Sequence, residues 1–417
     1  MREIPPQPIQ KTATTLTFRA APAKCGKLCC SGPMNPWASQ VWDHNPFRTK
    51  KQPSMNSRKP QTPPPACYAQ TIPGLEQVAS DEIRDRLGGE ILRTGQGLVV
   101  FKVPEITADL LELRTVEDVF LFAWGSDQLS YRALDLDWIE KWTKSKADWP
   151  RMLALHHSIR TKPKGNPGYW LVVQQSGKHV YQRQYTRQAL ARGLGQAIHP
   201  KWRVVEENAD IEFWLTIEGT QAICGLRLSD RTMRHRTYKR EHRPASLRPV
   251  LAAAMARAAD IQPGMVILDP MCGAGTLLAE ARLMVQSNGK GKVRLLGGDV
   301  DAEALDCARL NLRTMGGGTF CRWDARRLPL AERSVDRILC NLPFGMAYGV
   351  GENLGQLYAA TFMEMKRVLR PNGLGVVLTS EVAAARQAAL VCRLSVAGSM
   401  RVRILGQPAT YLTLRGV

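Results

Sequence analysis

The pattern of apolar and polar residues changes along the chain, and its last part alternates regularly between strand-like and helix-like segments. Short apolar runs in residues 249–417 predict five strands, "MVILDP", "VRLLGGDV", "TFCRWDA", "VDRILCNLP" and "GLGVVLTS", with helical segments between them. Alternation of this kind implies a mostly parallel, doubly wound α/β sheet with helices on both faces. Ligands of such sheets bind beyond the carboxyl ends of the strands.

Two smaller α+β modules are predicted before this sheet. In residues 66–130 the pattern predicts a strand at Tyr68–Thr71, a helix over 74–87, a strand in "GQGLVVFKV" and a helix running into a strand in "ITADLLELRTVEDVFLFA". In residues 131–228 it predicts strands in "YWLVVQQSG", "DIEFWLTIEG" and "AICGLRLS", and an amphipathic basic helix in "YTRQALARGLGQAIH". A polar segment, 229–248, then links these modules to the doubly wound sheet.

Residues 1–65 have a composition that cannot build a core. They are rich in Pro, Ser and Thr and carry ten Lys or Arg against only Glu3 and Asp43. We predict a disordered basic tail. It could be an RNA-binding arm, an organelle transit peptide or translation from too early a start codon, since Met34 and Met55 are alternative starts.

Charge points to a polyanionic partner. The 417 residues carry a formal net charge of +20, with a pI of about 9.8, which favours nucleic acid over an acidic membrane surface. Positive residues concentrate on the basic helix and in the linker, where phosphate contact competes with the simpler interpretation of a solvated surface. Aromatic residues interleave with the helix charges at Tyr181, Tyr185 and Trp202. The predicted RNA contacts are Arg183, Arg187, Arg192, Lys201, Arg203, Arg231, Arg234, Arg236, Lys239, Arg240 and Arg243.

Cysteine usage and hydropathy bound the class of protein. Ten cysteines are scattered, with one cluster, "CGKLCC", and no second cluster at zinc-ligand spacing. We therefore expect a reduced, cytoplasmic protein without a metal site. The sequence has no apolar run of about 18 residues and no signal-type N-terminus, so we expect no membrane association.

The stretch "VILDPMCGAGTLLAEA" predicts a cofactor loop. Asp269 ends a strand, Gly273 and Gly275 allow a sharp turn, and Thr276 opens a helix whose free N–H groups face a ligand. A dinucleotide fingerprint would place a third Gly where Leu278 stands. An acidic strand end better suits S-adenosylmethionine, whose ammonium group can pair with a carboxylate.

Two further acids follow in the order that a nucleoside cofactor requires. Asp299 ends the next strand, where a carboxylate can accept hydrogen bonds from ribose hydroxyls. Asp324 follows the third strand, where it can accept the adenine amino group. The predicted cofactor contacts are Asp269, Met271, Cys272, Gly273, Gly275, Thr276, Asp299, Val300, Asp324 and Ala325.

The tetrapeptide "NLPF" follows the fourth strand and predicts a catalytic loop for a planar amine. The Asn341 side-chain oxygen and the Leu342 carbonyl can accept both N–H bonds of an exocyclic amine, which aims its lone pair at a methyl donor. Phe344 offers a ring for stacking, and Pro343 stiffens the loop. In isolation the same residues could form a plain strand-ending turn.

These motifs resemble a known family. "DPMCGAGTLLAEA", "GGDVDAEAL", "DARRLP" and "CNLPFG" are similar to successive motifs of Rossmann-like class I methyltransferases of the N-P-P-Y amino-methylating group. Residues 66–228 resemble a ferredoxin-like unit followed by a THUMP RNA-binding domain. The combination resembles the THUMP-containing tRNA (guanine-N2)-methyltransferases. Leu342 departs from the usual N/D-P-P-Y/F motif, although a residue that acts through its carbonyl need not be proline.

The resemblance implies a partner and a target. It implies that the protein binds tRNA, flips guanosine 6 of the acceptor stem into the pocket and methylates its N2 amine. We expect a monomer; some eukaryotic relatives use a small activator subunit, and the sequence leaves that need open. Two alternatives also remain open: methylation of adenine N6 or glutamine N5, and an RNA-binding protein with a vestigial methyltransferase domain.

Overall fold

A computed structural model of the chain describes residues 63–206, 209–243, 246–287, 289, 291–344, 353–404 and 406–416. The predicted tail, residues 1–65, lies almost wholly outside the described residues. The described residues form two β-sheets with helices packed against them.

The first sheet contains eight strands. Its elements are β1 (Cys67–Gln70), α1 (Glu76–Leu87), β2 (Glu90–Gly95), β3 (Leu98–Lys102), a 3-10 helix (Ala108–Glu112), β4 (Asp118–Ser126), α2 (Leu134–Ser145), α3 (Trp149–Ile159), β5 (Gly168–Ser176), α4 (Arg183–Gly195), β6 (Arg203–Val204), β7 (Ile211–Glu218) and β8 (Gln221–Arg227). The predicted helix in "ITADLLELRT" is only the 3-10 helix. Its apolar residues, including Leu110 and Leu113, instead turn into the core.

The two predicted small modules share this sheet. The strand order is β2-β3-β1-β4-β8-β7-β5-β6, and β4 pairs with β8 in antiparallel register from Phe120↔Arg227 to Ser126↔Ala222. Backbone hydrogen bonds thus cross from one predicted module to the other. The division of residues 66–228 into two domains stays a prediction.

Aromatic residues pack between the first sheet and its helices. Trp124 on β4, Trp149 on α3 and Phe213 on β7 are almost fully buried, and the Trp149 and Phe213 rings meet edge to face with centroids 5.2 Å apart. Edge-to-face contact is a favoured arrangement for aromatic pairs.

The linker forms α5 (Arg231–His235), and α6 (Pro249–Ala258) follows it. Asp230 caps α5 by accepting a hydrogen bond from the Thr232 N–H. Proline at the first position of α6 has a φ angle already suited to a helix start.

The second sheet confirms the predicted doubly wound fold. Its elements are β9 (Val266–Asp269), α7 (Thr276–Ser287), β10 (Arg294–Asp299), α8 (Ala302–Leu312), a 3-10 helix (Arg313–Met315), β11 (Thr319–Arg322), β12 (Val335–Asn341), α9 (Leu354–Val368), β13 (Leu369–Thr379), α10 (Val382–Val391), β14 (Leu394–Ile404) and β15 (Gln407–Gly416). All five predicted strands are present. The sequence reading missed the last two strands.

The strand order of the second sheet is β11-β10-β9-β12-β13-β15-β14. The strands from β9 to β13 pair in parallel, whereas β15 runs antiparallel to both β13 and β14. The chain leaves β9 toward β10 and β11 on one side and returns to β12 on the other. The carboxyl ends of β9, β10 and β12 therefore meet where the strand order reverses, which is where ligands bind in such sheets.

Within the described residues, no helix is long and apolar enough to cross a membrane.

Candidate active site

The loop after β9 is tied to the end of β10. The Cys272 N–H donates to the Gly298 carbonyl over 2.9 Å, and the Gly273 N–H donates to Asp299 Oδ2 over 2.9 Å. Gly273 has a φ angle of 50°, and a Cβ atom there would meet nothing within 4 Å. The turn therefore leaves open space above Gly273, as the predicted cofactor loop requires.

Gly275 is needed both for the predicted sharp turn and for close packing against α8. Its φ angle is 76°, and a Cβ atom would lie 2.7 Å from Leu312 Cδ1 and 3.1 Å from Ala308 Cβ. The close approach is thus to α8 rather than to a ligand. It lets the start of α7 lie close to α8.

Asp269 is a buried carboxylate at the end of β9. It is 1% exposed, and its Oδ1 accepts a hydrogen bond from the Met271 N–H over 3.2 Å. Burial raises the pKa of Asp269 well above its usual value, and the negative charge of Asp299 raises it further. Among the described residues no Lys or Arg side chain forms an ion pair with it. A cationic group in the cleft would supply the missing countercharge.

Asp299 and Asp324 differ in how they are held. Asp299 accepts backbone N–H groups on both oxygens, from Gly273 and, over 3.1 Å, from Asp301. Asp324 lies two residues beyond β11 and accepts the Arg326 guanidinium, with Nη2 to Oδ2 at 2.6 Å. Hydrogen bonds from Arg326 lower the pKa of Asp324. The carboxylate predicted to meet adenine therefore stays ionised and is partly shared with Arg326.

Trp323 holds the cofactor loop through a hydrogen bond to Pro270. Its indole Nε1 donates to the Pro270 carbonyl over 3.1 Å. Its ring lies against Gly298, where a Cβ atom would fall 1.8 Å from Trp323 Cε2. The sequence reading missed this residue, although the Gly297–Gly298 pair inside a strand signals a close approach of another group.

A cleft of about 380 Å³ joins these loops, a volume typical of small-molecule sites. It is bounded by nine of the ten predicted cofactor residues and by all four predicted catalytic residues. The lining includes Asp269, Met271, Cys272, Gly273, Thr276, Asp299, Val300, Asp324 and Ala325, together with Asn341, Leu342, Pro343 and Phe344. Gly275 alone of the predicted set does not line it.

Asn341 lines this cleft and has an unused side-chain acceptor. It ends β12, and its side-chain oxygen Oδ1 is buried without a hydrogen-bond partner among the described residues. A buried amide oxygen without a partner is costly. A donor from a bound substrate would satisfy it.

The next two residues are anchored to the rest of the fold. The Leu342 N–H donates to the Leu378 carbonyl on β13 over 3.0 Å, and its side chain is 1% exposed in the core. The Pro343 carbonyl accepts the Tyr358 hydroxyl over 2.6 Å. Leu342 thus provides a backbone N–H donor, which proline would lack, and a side chain that packs in the core. Phe344 lines the cleft and packs partly against the core.

The cleft fits the predicted cofactor on two observations. Asp269 is a buried carboxylate beside the Gly-rich turn, where the ammonium of S-adenosylmethionine can pair with it. The carboxylate of Asp299, next along the edge, retains acceptor capacity for ribose hydroxyls. When bound, S-adenosylmethionine supplies an electrophilic methyl group on a sulfonium.

The predicted RNA contacts separate into exposed and structural residues. Six of the eleven are exposed, namely Arg183, Arg192, Lys201, Arg203, Arg231 and Arg240. Arg192 is paired with Glu140 at 2.5 Å and the half-buried Arg187 with Glu206 at 3.3 Å.

The linker is not wholly the exposed segment that its polarity predicted. Arg236 is 8% exposed and its guanidinium contacts Glu280 over 3.2 Å, so it is held away from any phosphate. Arg234 bonds the buried Asp118, and Lys239 donates to the Leu247 carbonyl over 2.9 Å. Arg243 bonds Asp301 at the mouth of the cleft. The three arginines hold the linker against the rest of the protein, and the Lys239 bond lies within the linker itself.

One expectation changes, and one structural residue was not predicted. Tyr181, predicted as one of the interleaved aromatics, is 4% exposed, and its hydroxyl donates to Asp135 over 3.1 Å. Asn311, which sequence reasoning missed, uses its whole amide: Oδ1 accepts the Arg240 and Glu241 N–H groups, and Nδ2 donates to the Glu241 and Ala274 carbonyls. It therefore ties the linker to the Gly-rich loop.

The fold and the cleft together define a Rossmann-like methyltransferase that uses S-adenosylmethionine. Residues 236–408 match the family model UPF0020, described as RMKL-like, methyltransferase domain. The match covers less than half of the chain.

Comparison with known proteins extends the likeness beyond this domain. A tRNA (guanine(6)-N2)-methyltransferase of Thermus thermophilus is 28% identical over 326 residues, which cover 77% of this chain and 90% of the relative. The crystal structure of TrmN from Thermus thermophilus is similar with a TM-score of 0.68 and 26% identity, over 84% of this chain and 99% of that one.

A mammalian relative matches a smaller part. The U6 snRNA (guanine-N(2))-methyltransferase THUMPD2 of Bos taurus is 32% identical over 201 residues, which cover 47% of this chain and 38% of the relative. The chain thus spans well under half the length of that relative.

Proposed function

We propose that the protein transfers a methyl group from S-adenosylmethionine to the exocyclic N2 amine of a guanosine in tRNA. Guanosine 6 of the acceptor stem is the proposed target. The observation that carries this proposal is the unpartnered, buried Oδ1 of Asn341 beside the cofactor cleft. The Thermus thermophilus relative, whose name specifies this nucleotide, supports the choice of base and of RNA.

In this proposal the chain contributes positioning rather than a strong base. Asn341 Oδ1 accepts one N–H bond of the guanine amine, and the Leu342 carbonyl accepts the other. The Phe344 ring stacks on the flipped base. The two fixed acceptors direct the nitrogen lone pair toward the methyl group, which is catalysis by orientation and preorganised dipoles.

RNA contact is assigned to the exposed basic residues of the first sheet and the linker. We propose that Arg183, Arg192, Lys201, Arg203, Arg231 and Arg240 bind tRNA phosphates and that residues 131–228 act as a THUMP domain. Asp269 and Asp299 hold the cofactor, with Asp324 near the adenine. We also propose a monomer acting in the cytoplasm.

Methyl transfer to unmodified tRNA tests the proposal. We expect purified protein to label a tRNA transcript from tritiated S-adenosylmethionine, with the label in N2-methylguanosine after nucleoside digestion. Asn341→Ala should lower the rate on the order of 100-fold or more, because one acceptor of the amine is lost. The variant should still bind the cofactor, since Asp269 and Asp299 are untouched.

The same experiment separates the alternatives. Label in N6-methyladenosine or in protein glutamine would contradict the proposed acceptor. Tight tRNA binding without transfer would indicate a vestigial enzyme. A transcript with adenosine at position 6 tests the nucleotide, because label that persists in N2-methylguanosine would place the target elsewhere.

A further inference from the structure

Tyr358 contacts the proposed catalytic loop from inside the protein. It lies on α9 and is fully buried. Its hydroxyl donates to the Pro343 carbonyl over 2.6 Å and lies 2.9 Å from the Thr379 hydroxyl. Thr379, at the end of β13, in turn accepts the Glu381 N–H over 2.9 Å.

The direction of every hydrogen bond in this chain is fixed. A carbonyl oxygen can only accept, so the single Tyr358 proton goes to Pro343. Thr379 must then donate its own proton to the Tyr358 oxygen, which leaves a Thr379 lone pair for the Glu381 N–H. Burial raises the pKa of Tyr358 to about 12, so its hydroxyl remains a donor across the range in which enzymes work.

Pro343 depends on this bond more than another residue would. Proline has no backbone N–H, so its carbonyl is its one backbone hydrogen-bonding group. The residue before it, Leu342, is held by its N–H on the Leu378 carbonyl. The loop after Asn341 is thus anchored at two successive residues, once to β13 directly and once through Tyr358.

Both anchors converge on the end of β13. Asn341 pairs in register with Leu378, Leu378 accepts the Leu342 N–H, and the adjacent Thr379 orients Tyr358. The bond to Tyr358 also occupies the Pro343 carbonyl inside the protein. This leaves Asn341 Oδ1 and the Leu342 carbonyl as the amine acceptors of the loop.

We propose that Tyr358, oriented by Thr379, is a positioning residue for methyl transfer. It holds the Pro343 peptide so that Asn341 and Leu342 keep the geometry that the amine needs. The inference rests on the proposed function in taking this loop as the catalytic one. It does not depend on which amine is methylated.

The test measures kcat, KM and cofactor affinity in Tyr358→Phe. This change removes one oxygen and keeps the ring against Phe362, whose centroid is 6.4 Å away. We expect kcat to fall about tenfold or more, because small displacements of positioned groups have large effects on rate. KM for RNA and the Kd of S-adenosylmethionine should change less than about twofold, since Tyr358 is buried and is not among the described residues that line the cleft.

Three further variants distinguish positioning from a general loss of packing. Tyr411→Phe is the matched control, because Tyr411 is 4% exposed on the neighbouring strand β15 and pairs with Leu378. It should keep kcat within about twofold. Thr379→Val should lower kcat as Tyr358→Phe does, whereas Thr379→Ser, which keeps the hydroxyl, should retain it. The double variant Tyr358→Phe/Thr379→Val should be no slower than the slower single variant, because both act through one bond.

Two results would overturn the inference. One is a Tyr358→Phe enzyme whose kcat stays within about twofold of wild type while Asn341→Ala loses transfer. The other is an equal fall in kcat and in thermal midpoint for Tyr358→Phe and Tyr411→Phe. Rates are measured on whichever acceptor the wild-type enzyme labels, so an unexpected acceptor counts against the proposed function alone. A wild-type protein that labels no acceptor would overturn both.

Discussion

Two buried polar groups carry the chemistry of the site at the scale of single residues. Asn341 Oδ1 lacks a partner and Asp269 lacks a countercharge within the described structure. Such groups destabilise a folded protein unless something binds them. Their placement on adjacent strands, β9 and β12, brings a cation site and an amine site to one cleft.

Asp269 should therefore oppose folding while supporting cofactor binding. We expect Asp269→Asn to raise the thermal midpoint of the free protein and to weaken S-adenosylmethionine binding by about tenfold or more, as loss of a charged hydrogen bond predicts. Binding can be measured by calorimetry. The exposed Asp306→Asn, paired with Arg309 on α8, is the control and should leave both unchanged.

The pH dependence of this effect has a definite sign. Because the pKa of Asp269 is raised in the folded state, the protonated side chain makes its full contribution to stability below the unfolded pKa of about 3.9. This contribution is lost as pH rises through the folded-state pKa. The increase in thermal midpoint produced by Asp269→Asn should thus grow as pH rises across that window. A difference in thermal midpoint that stays the same at every pH would contradict the assignment.

At the scale of elements, the sequence predicted the parallel strands of the second sheet best. The strands β9 to β13 were predicted from short apolar runs that alternate with helical segments, and an acid or the NLPF loop follows four of them. The helices α2 and α3 and the hairpin β14–β15 carry no such motif, and their periodicity alone was not distinctive. The helix expected at the start of "ITADLLELRTVEDVFLFA" is only a short 3-10 helix, with Leu110 and Leu113 buried in the core, because tertiary packing can override local preference.

Strand β10 packs closely against Trp323 at Gly298. Gly298→Ala should destabilise the protein by about 1–3 kcal/mol, the usual cost of overpacking, because its Cβ would fall within the Trp323 ring. It should also weaken cofactor binding, since Trp323 supports Pro270. Urea unfolding and calorimetry measure the two effects.

Gly375 on β13 is the matched control for this change. A Cβ atom there would meet Leu414 Cβ at 3.7 Å, an ordinary contact. We expect Gly375→Ala to be neutral or slightly stabilising, because alanine loses less backbone entropy on folding. Equal unfolding midpoints for the two alanine variants would refute the packing role of Gly298.

At the scale of the molecule, the linker joins the two sheets through a buried ionic cluster. Glu280 on α7 is fully buried and bonds Arg114 at 2.8 Å, Arg236 at 3.2 Å and the Tyr238 hydroxyl at 2.8 Å. Arg114 precedes β4 of the first sheet, and Arg236 and Tyr238 belong to the linker. The cluster thus connects the first sheet and the linker to α7, the helix that begins at the cofactor loop.

The sequence could not reveal this cluster, and the misassignment of Arg236 shows why. A run of positive residues in 229–248 is the expected signature of a phosphate-binding segment. The acid that neutralises Arg236 lies 44 residues later in an apolar helix, and the second arginine, Arg114, lies 122 residues earlier, just before β4. Pairings at such separation depend on the packing of whole elements, which local patterns do not specify.

Glu280→Gln should therefore be strongly destabilising. Although burial opposes ionisation, the two arginines lower the pKa of Glu280 below its usual value, so the carboxylate is charged and paired at neutral pH. Removing its charge takes away the anion that Arg114 and Arg236 share, and breaking such a buried pair costs about 3–5 kcal/mol. In wild type the charged Glu280 stabilises the fold above the unfolded pKa of glutamate, and this stabilisation is lost as pH falls through the lower, folded pKa.

Urea unfolding followed by tryptophan fluorescence at pH 7 measures the loss in free energy of unfolding. Asp306→Asn is the exposed control and should show no measurable change. Because Glu280 lies one turn beyond Thr276, we also expect the cofactor to restore part of the lost stability by binding only the folded state. A Glu280→Gln protein as stable as the control would show that the two sheets are held together without this cluster.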